Sequence, residues 1–251
     1  MPKCQMPDKN QFTAHAFHDV DVSLRDWPDV VRVISIDPGI RNLAIRVESR
    51  GIRSSNHPMR TIVFEKLKIS DADRNLNGNV DQLYFLVNQF LDQYLDVFKT
   101  CHIMIIERQL PMNLKAVRIS QHIITYFMMN LKNIPKSLPM IFEIDAKMKS
   151  REMGASTHLN ERGIKQWSID FCKSLLVKRQ DYDALAILEK HKRKADDLSD
   201  CVTQIEAFFS FQGWPLTQEI QTLKLVSNKT EVKTENKEEK KTKLVLKVVE
   251  N

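Results

Sequence analysis

An α/β domain built on a mixed five-stranded sheet flanked by helices is the fold class this sequence predicts, and three observations predict it. Two short apolar runs each stop at an acid: Val31-Arg32-Val33-Ile34-Ser35-Ile36 at Asp37, and Ile103-Met104-Ile105-Ile106 at Glu107. Runs of that length and character read as buried strands of an α/β sheet. A Pro38-Gly39 turn follows the first run at once, as a hairpin requires. Elsewhere apolar residues recur at three and four, the period of helices that bury one face against a sheet.

Residues 1–29 carry neither period and mix His, Asp, Asn and Lys, so they read as an irregular leader. Val31–Ile36 is the first strand; Leu43–Val47 returns antiparallel to it, and Thr61–Phe64 completes a three-stranded meander. From Val80, the residues Leu83, Val87, Phe90, Leu91, Tyr94 and Phe98 mark one amphipathic helix. The strand ending at Glu107 comes next. A second helix follows Pro111, with Val117, Ser120, Ile124, Phe127, Met128 and Leu131 on one side. Pro135 and Pro139 bracket the passage into a fifth strand, Met140–Ile144. Beyond a polar loop that starts at Asp145, Ile164, Trp167, Phe171 and Leu175 make a further helix. Leu198, Val202, Ile205 and Phe209 make the last helix of the core. The signal fades after Pro215, and Ser227 to Lys243 is nearly all Lys, Glu, Thr and Asn. That run is too polar to offset its ordering entropy and is expected to be disordered. The division is therefore a leader over 1–29, one domain over 30–215, and a charged tail over 216–251. Three strands, helix, strand, helix, strand, helices is the element order of the ribonuclease H-like fold.

Composition narrows the function. The chain has 251 residues, of which 42% are hydrophobic, enough for one substantial core. A formal net charge of +6 suits a polyanionic partner. Cys4, Cys101, Cys172 and Cys201 are scattered without paired spacing, which argues against a disulfide framework or a zinc site and for a reducing, intracellular setting. No apolar stretch approaches the roughly 20 residues that span a bilayer, so a soluble protein without a membrane partner is expected.

Strands of such a sheet deliver their C-terminal residues to one crevice, so Asp37 and Glu107 can meet although far apart in sequence. Like-charged carboxylates sharing a site repel unless a divalent cation neutralises them. Oxygen-only ligands favour magnesium or manganese. Asp196-Asp197-Leu198-Ser199-Asp200 adds a third acidic cluster. Asp197 and Asp200, three apart on a helix, share a face and can grip one cation; Asp196 with Asp200, at four apart, is the alternative pair. This layout points to a metal-dependent nuclease. Arg108 beside Glu107, and Lys192, Arg193 and Lys194 ahead of the acidic helix, are candidates for phosphate contacts, as are Lys178 and Arg179.

Three segments carry a family resemblance. Ile36-Asp37-Pro38-Gly39-Ile40-Arg41-Asn42-Leu43-Ala44 resembles the first strand and glycine turn of the RuvC-like Holliday-junction resolvases, most closely the poxvirus and mitochondrial types. Ile105-Ile106-Glu107-Arg108-Gln109 and Lys194-Ala195-Asp196-Asp197-Leu198-Ser199-Asp200 resemble the second and third acidic motifs of that family. The resemblance implies two Mg²⁺ ions, with Mn²⁺ as a substitute, held by Asp37, Glu107, Asp197 and Asp200. It also implies a catalytic lysine in Asp145–Arg151, with Lys149 the first choice and Lys147 the second, the latter as a DNA contact. The implied partner is branched DNA, bound by a homodimer whose interface is the helix Asn113–Leu131. The implied reaction is paired symmetric nicking of four-way junctions that leaves 5′-phosphates. A viral replication site, the nucleus and the mitochondrion all suit such an enzyme. The alternatives are a flap or RNA–DNA nuclease on the same fold, and a non-catalytic junction-binding module.

Overall fold

The computed structural model describes residues 12–15, 27–39, 41–52, 58–69, 80–134, 138–191 and 195–214. The charged tail, most of the leader, and Lys192, Arg193 and Lys194 lie outside these residues. Six strands form one sheet: β1 (Phe12–His15), β2 (Val30–Pro38), β3 (Asn42–Gly51), β4 (Arg60–Lys68), β5 (Ile103–Glu107) and β6 (Met140–Ile144), in the order β1-β6-β5-β2-β3-β4. β2, β3 and β4 form the predicted antiparallel meander, while β5 pairs parallel with both β2 and β6. These are the five predicted strands, in a mixed sheet. The sixth, β1, comes from the leader and closes one edge by pairing antiparallel with β6.

Alternation along the strands sorts the side chains into two layers. On one face Ile34 and Ile36, Leu43, Ile45 and Val47, Met104 and Ile106, and Ile141 form a single apolar core. Helices α1 (Val80–Asp92) and α3 (Leu114–Leu131) cover it with Leu83, Val87 and Leu91, and with Ile119, Ile123 and Phe127. Burying one large aliphatic side chain is worth about 1.5–3 kcal/mol, so this core contributes much of the stability. The intervening residues, Ser35 and Asp37 among them, face the opposite layer. That layer consists of α4 (Ala146–Glu152), α5 (Glu161–Lys178), α6 (Tyr182–His191) and α7 (Asp196–Phe211). α7 lies directly on this face, with Phe208 4.9 Å from Phe142 of β6.

Several elements depart from the expected ones. The helix expected from Val80 through Phe98 stops at Asp92. A turn at Gln93-Tyr94 starts the short α2 (Leu95–Phe98) and swings Phe98 onto Phe127, 4.9 Å between ring centroids. The polar loop after β6 is helix α4, whose N-terminus is capped by Asp145 accepting from Lys147 N at 2.7 Å. α5 buries Ser168, Ile169, Cys172, Leu175 and Leu176, a stripe offset by one residue from the expected one. Trp167 and Phe171 stack on each other at its flank, 5.4 Å apart. α6 has no counterpart among the expected elements. β3 and β4 run four residues past their expected ends; β3 does so because it buries Glu48 and Arg50 where solvent-facing charges would be anticipated, and the added residues of β4 pair with the start of β3.

These charges form one buried network. Arg46 donates to Glu48 at 2.7 Å, and Glu206 of α7 accepts from Arg50 of β3 and, at 2.7 Å, from Arg179 at the end of α5. Arg50 also lies 4.5 Å over the ring of Phe209. Arg179, expected as a phosphate contact, is therefore committed to the interior. Truncating one partner of such a pair leaves an uncompensated buried charge, so the network fixes α7 and α5 on the sheet.

Candidate active site

The β2–β5 ladder sets the first two acids. Ser35 is in register with Ile105 and Ile36 with Ile106. One further step brings Asp37 level with Glu107, both at the C-terminal ends of parallel strands and both on the α7 face. The sharp turn after Asp37 needs Gly39, since a Cβ there would lie 2.3 Å from the carbonyl oxygen of Asn42. The glycine is thus required by the hairpin's own backbone.

α7 brings Asp197 and Asp200 over these strand ends. Asp200 accepts from Ser168 of α5 at 2.7 Å and from Lys149 of α4. The same Lys149 nitrogen lies 2.8 Å from Glu107 Oε2. Lys149 is 7% exposed, whereas Lys147 is exposed to solvent, so of the two only Lys149 joins the acids. Asp197 is paired at 2.6 Å with Lys66 of β4. Asp196 turns away toward Lys165 of α5, 3.7 Å distant, which separates the acidic helix pair from its alternative.

The electrostatics follow from crowding. Burial, then the carboxylates of Glu107 and Asp200, push the Asp37 carboxyl well above the ordinary range. Burial likewise raises Asp200 against the opposing pull of Lys149, and raises Asp197 against Lys66. For Lys149, burial disfavours the charge, but Asp200, Glu107 and Asp37 outweigh it and hold the ammonium above its usual range. Four carboxylates face two ammonium groups, so the crevice keeps a deficit of positive charge that a divalent cation would fill. The donors are all oxygen, as Mg²⁺ or Mn²⁺ requires. Among the described residues, no three His, Cys, Asp or Glu side chains already close round one point. Lys149 stands between Glu107 and Asp200 instead. The residues fit the cation in charge and donor type.

Arg108, the phosphate contact expected beside Glu107, lines a cleft of about 220 Å³ together with Gln109, Val117, Ser120, Gln121 and Glu143. Sequence reasoning missed four polar residues around the acids: Lys66, Ser168, Ser35 and Gln204. Ser35 and Gln204 had a signal, since each lies on a buried face at a site residue's own period, two before Asp37 on a strand and four after Asp200 on a helix. Lys66 and Ser168 had none.

No family model matches the chain. It is 28% identical over 120 residues to Uncharacterized protein 97L of Invertebrate iridescent virus 3, a match covering 47% of this chain and 53% of that protein. The chain thus spans about half the length of this curated relative. Among solved structures, Thermus thermophilus RuvC is similar with a TM-score of 0.44 and 17% identity, over 74% of this chain and 99% of that one. The yeast mitochondrial Holliday junction resolvase Ydc2 aligns with a TM-score of 0.53 and 14% identity, over 81% of this chain and 87% of that one. Sheet order and flanking helices thus define a ribonuclease H-like α/β domain. Its fold is like that of Ydc2, and at this identity the likeness is one of fold.

Proposed function

We propose that this protein is a structure-specific DNA endonuclease that resolves four-way junctions by metal-dependent phosphodiester hydrolysis. The observation that carries the reading is that Asp37, Glu107, Asp197 and Asp200, on three separate elements, lie at one end of the sheet, with Lys149 bridging Glu107 and Asp200 and Lys66 on Asp197, in a fold like that of Ydc2. Asp37, Glu107, Asp197 and Asp200 would hold two Mg²⁺ ions, or Mn²⁺ in their place. When bound, the ions would make a water acidic enough to give up a proton and attack phosphorus, and would neutralise charge on the leaving 3′-oxygen.

The chain's own groups do the rest. Lys149 donates to Glu107 and Asp200 and so fixes two carboxylates that have no backbone in common. On this reading its ammonium would meet the charge that grows on a phosphoryl oxygen, where a preorganised donor counts most. Ser168 and Lys66 orient Asp200 and Asp197 from the far side. Arg108 in its cleft, Lys147 on the exposed side of α4, and Lys192, Arg193 and Lys194 ahead of α7 supply backbone contacts, each adding salt-dependent affinity. α3 presents exposed Leu114 and Met129, which suits the homodimer interface that paired cutting needs. Among the described residues no helix is long and apolar enough to cross a membrane.

The test is incubation of purified protein with labelled four-way junctions, flaps, RNA–DNA hybrids and plain duplex, with and without Mg²⁺. Mg²⁺-dependent cutting confined to junctions supports the proposal. Equal cutting of flaps or hybrids moves the answer to a general nuclease of this fold, and tight junction binding without cutting moves it to a binding module.

A further inference from the structure

Gln204 lies on α7 one turn beyond Asp200 and is wholly buried, in a stretch where every residue from Cys201 to Phe209 is buried. An apolar side chain would pack there without any polar group to satisfy, so the amide calls for a reason. It has two partners. Gln204 Nε2 donates to Glu107 Oε2 at 3.1 Å, and Gln204 Oε1 accepts from the hydroxyl of Ser35, also wholly buried, at 2.9 Å. The carboxylate decides which way the amide faces, since it only accepts whereas the hydroxyl can donate or accept, and the hydroxyl then anchors Oε1. Turned over, the amide would set Oε1 against the Glu107 carboxylate, two acceptors in contact in a low-dielectric interior that amplifies their repulsion.

The relay thus runs from β2 through α7 to β5. Ser35 stands two residues before Asp37 on the same strand face, so the strand that carries one acid orients, through Gln204, the carboxylate of another. Lys149 holds the same Glu107 oxygen from the opposite element, at 2.8 Å. Glu107 Oε2 therefore has two fixed donors, which set the rotation of the carboxyl plane.

We propose that Gln204, anchored through its amide oxygen by Ser35, is a positioning residue that presets the Glu107 carboxylate for cation binding. This rests on the reading of the site as a metal-dependent nuclease. Groups that orient a metal-binding side chain from behind alter affinity about 10–100-fold when removed.

The test uses the full chain with Gln204→Met, close in shape to glutamine, Ser35→Ala, Ser35→Thr, and the Gln204→Met/Ser35→Ala double variant. Mn²⁺ binding is measured by calorimetry without DNA, and the Mg²⁺ dependence of single-turnover cleavage on prebound four-way junction is measured beside it. Gln204→Met is expected to weaken Mn²⁺ binding at least about 10-fold and to raise the Mg²⁺ needed for half-maximal rate in parallel. Ser35→Ala should lose less, Ser35→Thr should keep wild-type affinity, and the double variant should match Gln204→Met, because Ser35 acts only through the amide. Wild-type Mn²⁺ affinity in folded Gln204→Met overturns the proposal, and additive losses in the double variant overturn the relay. Should Gln204→Met fail to fold, the serine variants decide: unchanged affinity in Ser35→Ala overturns the proposal, and loss there with recovery in Ser35→Thr supports it. Protein that binds Mn²⁺ in a Gln204-dependent way yet cuts no DNA would overturn the nuclease reading and leave the positioning role standing. Wild-type protein that binds no Mn²⁺ overturns both.

Discussion

Lys149 Nζ lies 2.8 Å from Glu107 Oε2 and also reaches Asp200, so one ammonium joins the end of β5 to the acidic face of α7. Lys147, two residues earlier on the same helix, is exposed. Lys149→Ala should therefore slow single-turnover cleavage by on the order of 10²-fold, with junction affinity nearly unchanged. In the metal-free protein it should also lower Tm, because Asp200, Glu107 and Asp37 lose their buried counterion. Lys147→Ala should leave both close to wild type. Equal losses of affinity at the two positions, with no change in rate on prebound junction, would reduce Lys149 to a backbone contact.

Replacing Asp37, Glu107 or Asp200 by the matching amide should abolish cleavage and leave junction binding intact or tighter, since a negative charge near phosphate has been removed. Asp37→Asn carries a second, independent expectation. Burial and the neighbouring acids raise the Asp37 carboxyl well above its ordinary value, so its charged form destabilises the folded, metal-free protein, increasingly as pH rises past the ordinary aspartate range. The amide should raise the Tm of the metal-free protein at neutral pH by a few degrees, as about 1 kcal/mol corresponds to roughly 2–4 °C at this size. The gain should shrink as pH falls and Asp37 in the wild type becomes protonated. Cleavage at wild-type rate by Asp37→Asn under saturating Mg²⁺ would remove Asp37 from the catalytic set.

The parts of this fold legible in the sequence are those where local pattern and tertiary burial agree. β2 and β5 are apolar throughout their cores, and α7 repeats Leu198, Val202, Ile205 and Phe209 without interruption, so the elements that bear Asp37, Glu107 and Asp200 are all marked locally. β3 is not legible past Val47, because Glu48 and Arg50 are charged yet buried, satisfied by Arg46 and by a distant residue of α7, Glu206. The buried face of α5 is hidden because it packs small and polar residues, Ser168 and Cys172, against α7, and leaves its largest rings at the flank. Asp145 reads equally as a loop residue and as a cap, and only the hydrogen bond to Lys147 N distinguishes the two. The polar residues around the acids follow from the same limit. Lys66 becomes part of the site only once β4 and α7 are packed together, and no period within either segment marks it.

Glu206 offers a stability test that is separate from catalysis. Burial alone would raise its carboxyl, but the guanidinium groups of Arg179 and Arg50 outweigh burial and hold it below the ordinary glutamate range. A depressed carboxyl contributes stability that is present above the unfolded value of about 4.3 and is lost as pH falls through the lower folded value. Glu206→Gln leaves two buried guanidinium groups short of a counterion and should cost about 3–5 kcal/mol at neutral pH, roughly 10 °C in Tm. Thermal denaturation of wild type and variant should converge as pH drops below the ordinary glutamate range. Parallel curves across the acid limb would show that Glu206 is not the titrating group.

The strongest expectation about function concerns the products. On the proposed reading, a water activated between the carboxylates would attack phosphorus in line and expel the 3′-oxygen, which would leave the phosphate on the 5′ side of the nick. A homodimer built on α3 would present two such crevices related by a two-fold axis, and a four-way junction offers two strands related in the same way. The two cuts should then fall at symmetric positions on opposing strands and yield linear duplexes with abutting 3′-hydroxyl and 5′-phosphate ends. Ligase should seal these directly, with no gap or flap to process. The measurement is denaturing electrophoresis of end-labelled junctions with a mobile core, run before and after ligase. Offset cuts would remove the two-fold dimer, 3′-phosphate ends would remove the in-line attack, and equal cleavage of plain duplex would remove the junction. Any of the three would overturn the corresponding part of the proposed reading.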